Sequence, residues 1–459
     1  MTCGLITAPT TPLRDLCVVS VESYPAWLAR QSAVLQHQLS VMLAAPKVGA
    51  HAVVVDTDHQ VCAVAIIDPT DSLWCLAGLV PKLPNADYQL QTDEALDLEL
   101  SLLGWALAHY EFSTYKTHAI SAERPNLSVT AAQFSTLKPM IDAVYGLRDL
   151  INQPPNVCHP EYLHQTLQQL GETYGANVTQ TVGEDLLAQQ LNAIWSVGAA
   201  GHQAPRLLQL SWGHENHPTV ALVGKGVCFD TGGLDIKPPS GMKLMKKDMG
   251  GAAHVLALAQ LIMAAKLPVN LRVLIPAVEN NIAANAYRPS DVIQMANGTT
   301  VEVGDTDAEG RLVVADAFTV AAQYAPELLI DFTTLTGASR VALGPSVGAM
   351  FTNDDQIACD LQRHSDQLQD PLWRLPLVAA YQRYLHSHVA DQNNIAKTPY
   401  GGAITAALFL QSFVPDKTQW VHFDVMAWNV DAQPGRQVGG EAMGVRAVFG
   451  WLKEWLCAR

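Results

Sequence analysis

The chain of 459 residues is acidic, with a formal net charge of −15, and 49% of its residues are hydrophobic while 15% are charged. This length predicts two or three domains with ample apolar material for a large core or for subunit contacts. The negative charge and the lack of a basic stripe argue against nucleic-acid binding. Because no charged-then-apolar leader follows Met1, no apolar stretch approaches the ~20 residues of a membrane helix, and no cysteines form a C-x-x-C pair, we expect a cytoplasmic protein with no membrane contact.

The first third of the chain has the pattern of a small α/β domain. Two apolar β-type runs at 51–56 and 61–67 are joined by Thr57-Asp58-His59-Gln60 and predict a hairpin. Residues 96–108 predict a helix, and 128–152 predict a longer connecting helix that ends before a proline pair.

Beyond residue 153, strand-type and helix-type segments alternate. The predicted strands are 207–211, 219–223, 271–276, 328–333 and 420–425, and the predicted helices are 251–266, 312–324 and 403–413. Such alternation predicts an α/β fold with a largely parallel or mixed sheet covered by helices on both faces. We therefore expect an N-terminal α/β domain over 1–127, a connecting helix over 128–152 and a large C-terminal domain over 153–459.

The most informative stretch is 304–312, which places two carboxylates and a guanidinium at alternating positions after the β-type run 300–303. In an extended segment residues two apart point the same way, so we expect Asp307, Glu309 and Arg311 to converge. Two acids that close repel each other unless a cation lies between them. The pattern therefore indicates one or two divalent metal ions.

Further candidate ligands lie upstream. The apolar run 220–223 leads into a turn of small residues that carries Lys225, Asp230 and Lys237, and a helix is predicted to begin near Asp248. Ligands of open α/β sheets bind at the carboxyl ends of strands, where Lys225 and Asp307 fall.

These blocks resemble those of the leucyl aminopeptidase (cytosol aminopeptidase) family of two-metal exopeptidases. The family patterns are approximately V-G-K-G-x-x-F-D-S-G-G-x-x-x-K, M-K-x-D-M-x-G-A-A and N-T-D-A-E-G-R-L, and this chain carries nearly every position at the same separations. The resemblance covers roughly the C-terminal two-thirds of the chain and is faint before about residue 140. It implies that the C-terminal domain is the catalytic domain.

The resemblance also implies a ligand set. One metal would be held by Lys225, Asp230, Asp248 and Glu309, and the other by Asp230, Asp307 and Glu309. The lysine must be neutral to donate its lone pair, which requires a pKa well below its ordinary value. The ions would be manganese or zinc, because oxygen ligands with one amine do not discriminate strongly between them.

The implied activity is removal of the N-terminal amino acid from peptides with a free N-terminus, by attack of a hydroxide that bridges the two metals. Protonated Lys237 would stabilise the oxyanion, and Arg311 would hold a bicarbonate that shuttles the proton to the leaving amine. Family members assemble as hexamers, so a homohexamer is expected here.

The pocket for the N-terminal side chain would be lined by Met245, Thr334, Gly337 and Met426. Met426 stands where the family has a small residue, so the pocket floor is expected to rise and to disfavour bulky leucine. Asp305 stands where the family signature has asparagine. We expect it either to cap the turn or to add a charge beside the metals.

Other interpretations stay open from the sequence. A dipeptidase acting on cysteinyl-glycine, an amino-acid amide hydrolase, and an inactive scaffold or DNA-associated member would share these motifs. Singly, Lys225 is also compatible with a surface turn and Asp248 with a helix N-cap. The segment His214-Glu215-Asn216-His217 lacks the spacing of a zinc-protease helix and predicts a polar loop.

Overall fold

The computed structural model describes residues 3–57, 60–117 and 123–459. The chain forms two compact units, one of residues 1–145 with 431–438 and the other of residues 146–430 with 439–459. The domain boundaries after residues 127 and 152 stay a prediction.

The first unit contains a six-stranded sheet with helices. Its strands are β1 (Leu5–Ile6), β2 (Arg14–Ser20), β3 (His51–Val55), β4 (Val61–Ile67), β5 (Asp87–Gln91) and β6 (Asn126–Ser128). Its helices are α1 (Tyr24–Ala29), α2 (Ala33–Met42), the 3-10 helix Ala77–Leu79 and α3 (Leu98–Leu107). The strand order is β1-β6-β5-β2-β4-β3, and only the β3–β4 pair is antiparallel.

The predicted hairpin is confirmed by the antiparallel pairing of β3 with β4. Of its predicted connecting residues, Asp58 and His59 lie outside the described residues. The predicted helix near 96–108 is α3, which begins after Asp97 because the Asp97 carboxylate accepts a hydrogen bond from the Leu100 amide at 3.0 Å. The predicted connecting helix is α4 (Ala131–Asn152), which ends directly before the proline-containing segment.

The second unit carries the remaining elements. Its strands are β7 (Asn177–Val182), β8 (Arg206–Gly213), β9 (Thr219–Gly224), β10 (Gly226–Asp230), β11 (Asn270–Asn280), β12 (Val292–Gln294), β13 (Thr300–Glu302), β14 (Leu328–Thr333), β15 (Gly348–Thr352), β16 (Leu372–Arg374), β17 (Gln392–Asn393), β18 (Gln419–Asp424), β19 (Trp428–Asn429) and β20 (Gly439–Gly440). Its helices are α5 (Pro160–Tyr174), α6 (Asp185–Ala188), α7 (Asn192–Gly198), α8 (Pro239–Met242), the 3-10 helix Met245–Met249, α9 (Gly250–Ala264), α10 (Glu309–Ala322), α11 (Gly337–Leu343), α12 (Asp355–Gln367), the 3-10 helix Ala379–Leu385, α13 (Gly402–Gln411) and α14 (Val445–Cys457).

The large sheet of this unit has nine strands in the order β16-β15-β18-β14-β9-β11-β8-β7, with β10 paired to β11 outside that path. The central pairs β18–β14, β14–β9 and β9–β11 are parallel, whereas at one side β8 pairs antiparallel with both β11 and β7. The predicted α/β class with a largely parallel or mixed sheet is confirmed.

Helices cover both faces of this sheet, as predicted. Ala221 and Val223 of β9 pack in a core cluster with residues of α10 and α13. Val220 and Leu222 point to the opposite face and are equally buried. Helix α9, which is almost entirely buried, packs against β9 and β14. Because helices cover both faces of the sheet, the space available for a ligand lies at the ends of the strands.

Candidate metal centre

Lys225 lies in the turn between β9 and β10, at the carboxyl end of β9. Its amide donates to Phe332 O at 3.0 Å, and its carbonyl accepts from the Ala252 amide at 2.8 Å. A Cβ on Gly251 would lie 2.1 Å from Phe332 O and 2.7 Å from Lys225 N. Only glycine allows this close approach of backbones, which fixes where the lysine side chain starts.

The Lys225 ammonium is buried between two carboxylates. Its Nζ lies 2.7 Å from Asp248 Oδ2 and 2.9 Å from Glu309 Oε1. A Cβ on Gly310 would lie 2.6 Å from the same nitrogen, so the glycine leaves room for the lysine. The surface-turn interpretation of Lys225 is therefore wrong.

Asp230 ends β10 and is held on both carboxylate oxygens. Oδ1 accepts from the Gly232 amide and from Asn280 Nδ2, each at 2.8 Å. Oδ2 lies 2.8 Å from Lys237 Nζ. These donors fix the carboxylate at the strand end.

Asp307 and Glu309 do meet Asp230, but the predicted reason is wrong. The segment is not extended at these residues, because α10 begins at Glu309 and Asp307 lies in the turn before it. One ligand atom each from Asp230, Asp307 and Glu309 lie within 4.8 Å of one another. Arg311, also in the first turn of α10, donates instead to Asn394 O at 2.7 Å.

Asp248 joins the cluster from the 3-10 helix Met245–Met249. Its Oδ1 lies 2.7 Å from the hydroxyl of Thr334, which is also 3.0 Å from its main-chain oxygen. The N-cap interpretation of Asp248 is wrong, since the N-cap position of α9 is Met249 and makes no side-chain cap. A threonine from the end of β14 therefore orients this carboxylate.

Two buried carboxylate oxygens in the cluster share one lysine ammonium. Asp248 Oδ2 and Glu309 Oε1 are fully buried, and among the described residues Lys225 supplies the cation within ion-pair distance of both. Two buried carboxylates that share a single cation are costly. Hard cations are the usual partners of such oxygens.

The pKa shifts have the same physical cause. Burial and the Asp230 charge raise the pKa of Glu309 well above its ordinary value and that of Asp307 to about 7. Burial alone would lower the pKa of Lys225. The charges of Asp248, Glu309 and Asp230 raise it by more than burial lowers it, so the pKa lies above the ordinary value. Burial also lowers the pKa of Lys237, but the carboxylates around it, chiefly Asp230, raise it above the ordinary value. The carboxylates of the cluster carry more negative charge than the two lysine ammonium groups neutralise.

Lys237 and Arg311, the two predicted catalytic residues, lie at different edges of the cluster. Lys237 bridges Asp230 and Asp307 by its ammonium. Arg311 is buried, and its Nε has no hydrogen-bond acceptor among the described residues. Burial lowers the pKa of Arg311 to about 10 although Glu309 and Asp424 raise it, so the guanidinium keeps its charge.

The four predicted pocket residues come from three segments. Met245 begins the 3-10 helix that carries Asp248, and Thr334 and Gly337 lie between β14 and α11. A Cβ on Gly250 would lie 3.0 Å from the Thr334 methyl and 2.4 Å from Ala427 Cβ, so the first residue of α9 packs against Thr334 and Ala427. Met426 is half-buried beside Ala427.

Several supporting residues were missed from the sequence. Asn394 is fully buried, accepts from the Gly304 amide at 2.7 Å, and donates to Asp305 O at 2.8 Å. Tyr287 donates to Thr306 O at 2.5 Å. Isolated asparagine and tyrosine residues carry no pattern that could single them out.

Asp305 caps the turn rather than facing the cluster. Its Oδ1 accepts from the Asp307 amide at 2.7 Å. The segment 214–217 is a polar loop between β8 and β9, as predicted.

Comparison with known proteins agrees with this geometry. Residues 146–449 match the profile of the "Cytosol aminopeptidase family, catalytic domain", and residues 14–127 match the "M17 aminopeptidase, N-terminal domain". The N-terminal match covers the part where the resemblance of motifs was faint.

Individual relatives are similar along most of the chain. A probable cytosol aminopeptidase of Syntrophotalea carbinolica is 39% identical over 368 residues, which is 76% of this chain and 74% of the relative. One of Xylella fastidiosa is 37% identical over 423 residues, covering 90% and 83%.

Solved structures share the fold. The crystal structure of the cytosol aminopeptidase from Coxiella burnetii has a TM-score of 0.94 at 42% identity and covers 99% of both chains. The bottromycin maturation enzyme BotP in complex with Mn has a TM-score of 0.85 at 28% identity, covering 96% of this chain and 99% of that one.

The chain therefore belongs to the cytosol aminopeptidase family, as the motifs predicted. It is a metal-dependent aminopeptidase, a hydrolase whose substrates are peptides. Among the helices of the described ranges, none has the length and apolar character needed to cross a membrane.

Proposed function

We propose that this chain releases N-terminal amino acids from peptides with a free N-terminus, using two divalent ions at the cluster of Lys225, Asp230, Asp248, Asp307 and Glu309. The carrying observation is the convergence of carboxylates: ligand atoms of Asp230, Asp307 and Glu309 lie within 4.8 Å of one another. The donor set of four carboxylates and one amine suits manganese or zinc. By resemblance to the family, Asp230 and Glu309 would be shared by the two ions.

When bound, the ions would lower the pKa of a shared water and polarise the scissile carbonyl. Their positive charge would also oppose the carboxylates that raise the pKa of Lys225, and so favour the neutral amine that can act as a ligand. The Mn complex of BotP supports manganese as the first ion to test.

Lys237 is proposed to stay protonated and to stabilise the oxyanion that develops on the substrate. Its ammonium is held by Asp230 and Asp307. Both carboxylates raise its pKa, so the charge persists at neutral pH. A fixed cation beside the reacting carbonyl lowers the energy of the transition state.

Arg311 is proposed to hold a bicarbonate that transfers the proton to the leaving amine. The support is its buried Nε, which has no acceptor in the described part of the chain. One edge of the guanidinium is already fixed by Asn394 O, which leaves Nε for an anion. The sequence motifs that form the site contain no side chain that is an obvious general base.

Met245, Thr334, Gly337 and Met426 are proposed to line the pocket for the N-terminal side chain. Met426 would raise the pocket floor, so small side chains should be accepted better than leucine. Replacing Met426 by Ala should raise kcat/KM for leucine p-nitroanilide relative to alanine p-nitroanilide. An unchanged ratio would remove Met426 from the pocket.

We further propose a cytoplasmic homohexamer, on the strength of the family resemblance and of the "cytosol" in the names of the relatives. A monomer in analytical ultracentrifugation would contradict the assembly. The dipeptidase, amide-hydrolase and scaffold alternatives have no support in the comparisons.

The test of the proposed function combines metal analysis with turnover of unblocked and N-acetylated peptides. Two ions per chain, cleavage of the unblocked peptide only, and loss of both properties in Asp248→Asn are expected. Cleavage of the acetylated peptide at a similar rate would overturn the aminopeptidase mechanism proposed for this cluster.

A further inference from the structure

Asn280 is the last residue of β11 and lies opposite Asp230, the last residue of β10, in the parallel pairing of these two strands. Its side chain is fully buried. Its main-chain oxygen accepts from the amide and from the hydroxyl of Thr231, each at 2.9 Å. The strand pairing and these two bonds fix the backbone of Asn280, so its carboxamide has a defined position beside Asp230.

The carboxamide nitrogen of Asn280 joins two segments that carry proposed metal ligands. Nδ2 donates to Asp230 Oδ1 at 2.8 Å and to Thr306 O at 3.0 Å. A primary amide has two N–H donors, so one group supplies both bonds. Thr306 O belongs to the peptide group that precedes Asp307. Asn280 therefore connects the carboxylate that both ions would share with the turn that carries a ligand of the second ion.

The surroundings of the carboxamide set its direction. Turned the other way, its oxygen would face the Asp230 carboxylate and the Thr306 carbonyl, which are acceptors and have no hydrogen to donate. In the observed direction, Oδ1 would lie 3.0 Å from a Cβ on Gly233. Within the residues that the structure describes, Oδ1 accepts no hydrogen bond. Asn280 thus places its donors on Asp230 and Thr306 while burying an acceptor without a donor, which is unfavourable.

Both acceptors of the Asn280 carboxamide have a second donor. Asp230 Oδ1 also accepts from the Gly232 amide at 2.8 Å, and Thr306 O also accepts from the Tyr287 hydroxyl at 2.5 Å. Loss of the carboxamide would therefore leave neither oxygen without a donor, and it would also remove the unpaired Oδ1. Because these effects oppose each other, we expect the Asn280 carboxamide to contribute little to the free energy of unfolding.

The contact with Asp230 acts on the carboxylate itself. The Gly232 amide and Asn280 Nδ2 both donate to Oδ1, while Oδ2 lies 2.8 Å from Lys237 Nζ. Another bond, from the Thr306 hydroxyl to Gly232 O at 2.6 Å, joins only the backbones of the two segments. Hydrogen bonds from outside a ligand set orient the ligand and strengthen metal binding. Asn280 is placed to orient Asp230 relative to the turn of Thr306.

We propose that Asn280 is a positioning residue of the metal centre, which holds Asp230 in register with Asp307 so that two ions bind as a coupled pair. This inference rests on the proposed function, since it concerns the same two ions. Asn280 acts through Asp230 and through the peptide group before Asp307. The ion held by Asp230, Asp307 and Glu309 depends on it most, because that ion needs both segments together.

The test is manganese binding to Asn280→Leu, which nearly keeps the shape of the side chain and removes its hydrogen-bonding groups. In titration calorimetry, the more weakly bound ion should lose about tenfold or more in affinity relative to wild type. Electron paramagnetic resonance at two ions per chain supplies a spectroscopic signature. Wild type should give the spectrum of two exchange-coupled ions, and the variant should give the hyperfine spectrum of isolated manganese. Neither readout depends on turnover.

Two further variants separate the contact with Asp230 from support of the turn. Tyr287→Phe removes the other donor to Thr306 O but no hydrogen bond to Asp230, so it should keep the exchange-coupled spectrum. Asn280→Ala removes the same donors as Asn280→Leu without placing a methyl group beside Gly233. It should therefore lose the coupled spectrum as Asn280→Leu does.

Asn353→Ala is the matched control for the loss of a carboxamide. Asn353 donates to Thr418 O and accepts from the Trp420 amide, both at 2.9 Å, near the amino end of β18. The metal ligands lie at the carboxyl ends of the parallel strands, so this residue is at the opposite edge of the sheet. Asn353→Ala should keep the wild-type manganese affinity.

Chemical denaturation with chelator present measures stability without the contribution of metal. The midpoint of Asn280→Leu should stay close to that of wild type. A variant that unfolds much more easily, or does not fold, would make Asn280 a residue of the fold and overturn the inference.

Two metal-binding results would also overturn it. One is a coupled spectrum and wild-type affinity in Asn280→Leu. The other is an equal loss of coupling in Tyr287→Phe, which would assign the effect to the turn of Thr306 alone. Failure of the proposed function is distinguishable, because wild type itself would then bind no pair of manganese ions.

Discussion

The hydroxyl of Thr334 lies 2.7 Å from Oδ1 of Asp248, so a residue at the end of β14 orients a carboxylate of the 3-10 helix that precedes α9. Thr334 was expected only as a pocket residue. Its position gives it a second role, because a hydrogen bond from outside the ligand set fixes the direction of a ligand's lone pairs.

Thr334→Val should therefore weaken manganese binding about tenfold or more, the usual effect of removing such a supporting hydrogen bond. The shape of the side chain is kept, and only the donor is lost. Manganese affinity measured by titration calorimetry checks this. Thr319→Val, which removes a hydroxyl bonded to Ala315 O at 3.2 Å on α10, is the control. Equal affinities for wild type and Thr334→Val would show that Asp248 needs no such support.

Lys225→Arg should reduce the metal content to one ion or none per chain. Guanidinium does not lose its proton near neutral pH and cannot become a ligand. It also brings a larger group into a space that Gly310 keeps open. Lys453→Arg, an exposed lysine over the Phe449 ring, is the matched control. Two ions per chain and full activity in Lys225→Arg would remove the lysine from the ligand set.

Arg311→Ala should lower the turnover rate more than the metal occupancy. Its Nε is available for an anion, whereas no contact places the guanidinium on the carboxylates of the cluster. Added bicarbonate should stimulate wild type and have little effect on the variant. Parallel loss of metal and turnover would instead assign Arg311 a purely structural role.

Asn394→Ala should destabilise the protein by about 1–3 kcal/mol for the buried polar groups left without partners. The lost bonds include those with the Gly304 amide and with Asp305 O. Chemical denaturation with chelator present measures the free energy of unfolding without the contribution of metal. Asn297→Ala, on the exposed turn between β12 and β13, provides the comparison. A variant as stable as wild type would show that the turn at Asp305 is held by other contacts.

The stability of the fold should depend on pH through His254. This histidine is fully buried, lies 2.6 Å from Gly250 O through Nδ1, and accepts from the Met443 amide through Nε2 at 3.0 Å. Burial lowers its pKa to about 4, against about 6.5 in an unfolded chain. The unfolded state therefore binds more protons between these values, and the free energy of unfolding falls as the pH drops from about 6.5 to about 4.

The size of this contribution is up to about 3 kcal/mol over that interval. Chemical denaturation at a series of pH values measures it. His254→Gln keeps a donor and an acceptor but does not titrate, so its slope over the same interval should be flatter. Identical slopes in wild type and variant would mean that other groups account for the acid sensitivity.

The sequence predicted the sheet and its helices because long apolar runs and clear breakers carry that information. The run 328–333 coincides with β14, and the turn of small residues after β9 carries Lys225 as expected. The segment at Asp307 was harder, because Glu309 starts α10 without a side-chain N-cap to mark the helix end. The ligands converge through the fold rather than through an extended repeat.

The supporting residues could not be predicted for a different reason. Asn280 and Asn394 lie far along the chain from the residues they hold, and a single asparagine has the same local pattern in a loop and in a buried network. Lys247 is similar, since only 2% of its surface is exposed although nothing in the local sequence predicts that burial. Only the three-dimensional structure separates it from its neighbours Lys243 and Lys246.

The most direct test of the account is the anomalous scattering of crystals grown with manganese, combined with the metal content of the protein in solution. Two ions per chain are predicted, in contact with Lys225, Asp230, Asp248, Asp307 and Glu309. Anomalous peaks elsewhere, or a chain that binds no manganese while these side chains keep their positions, would contradict the metal centre on which every proposed step depends.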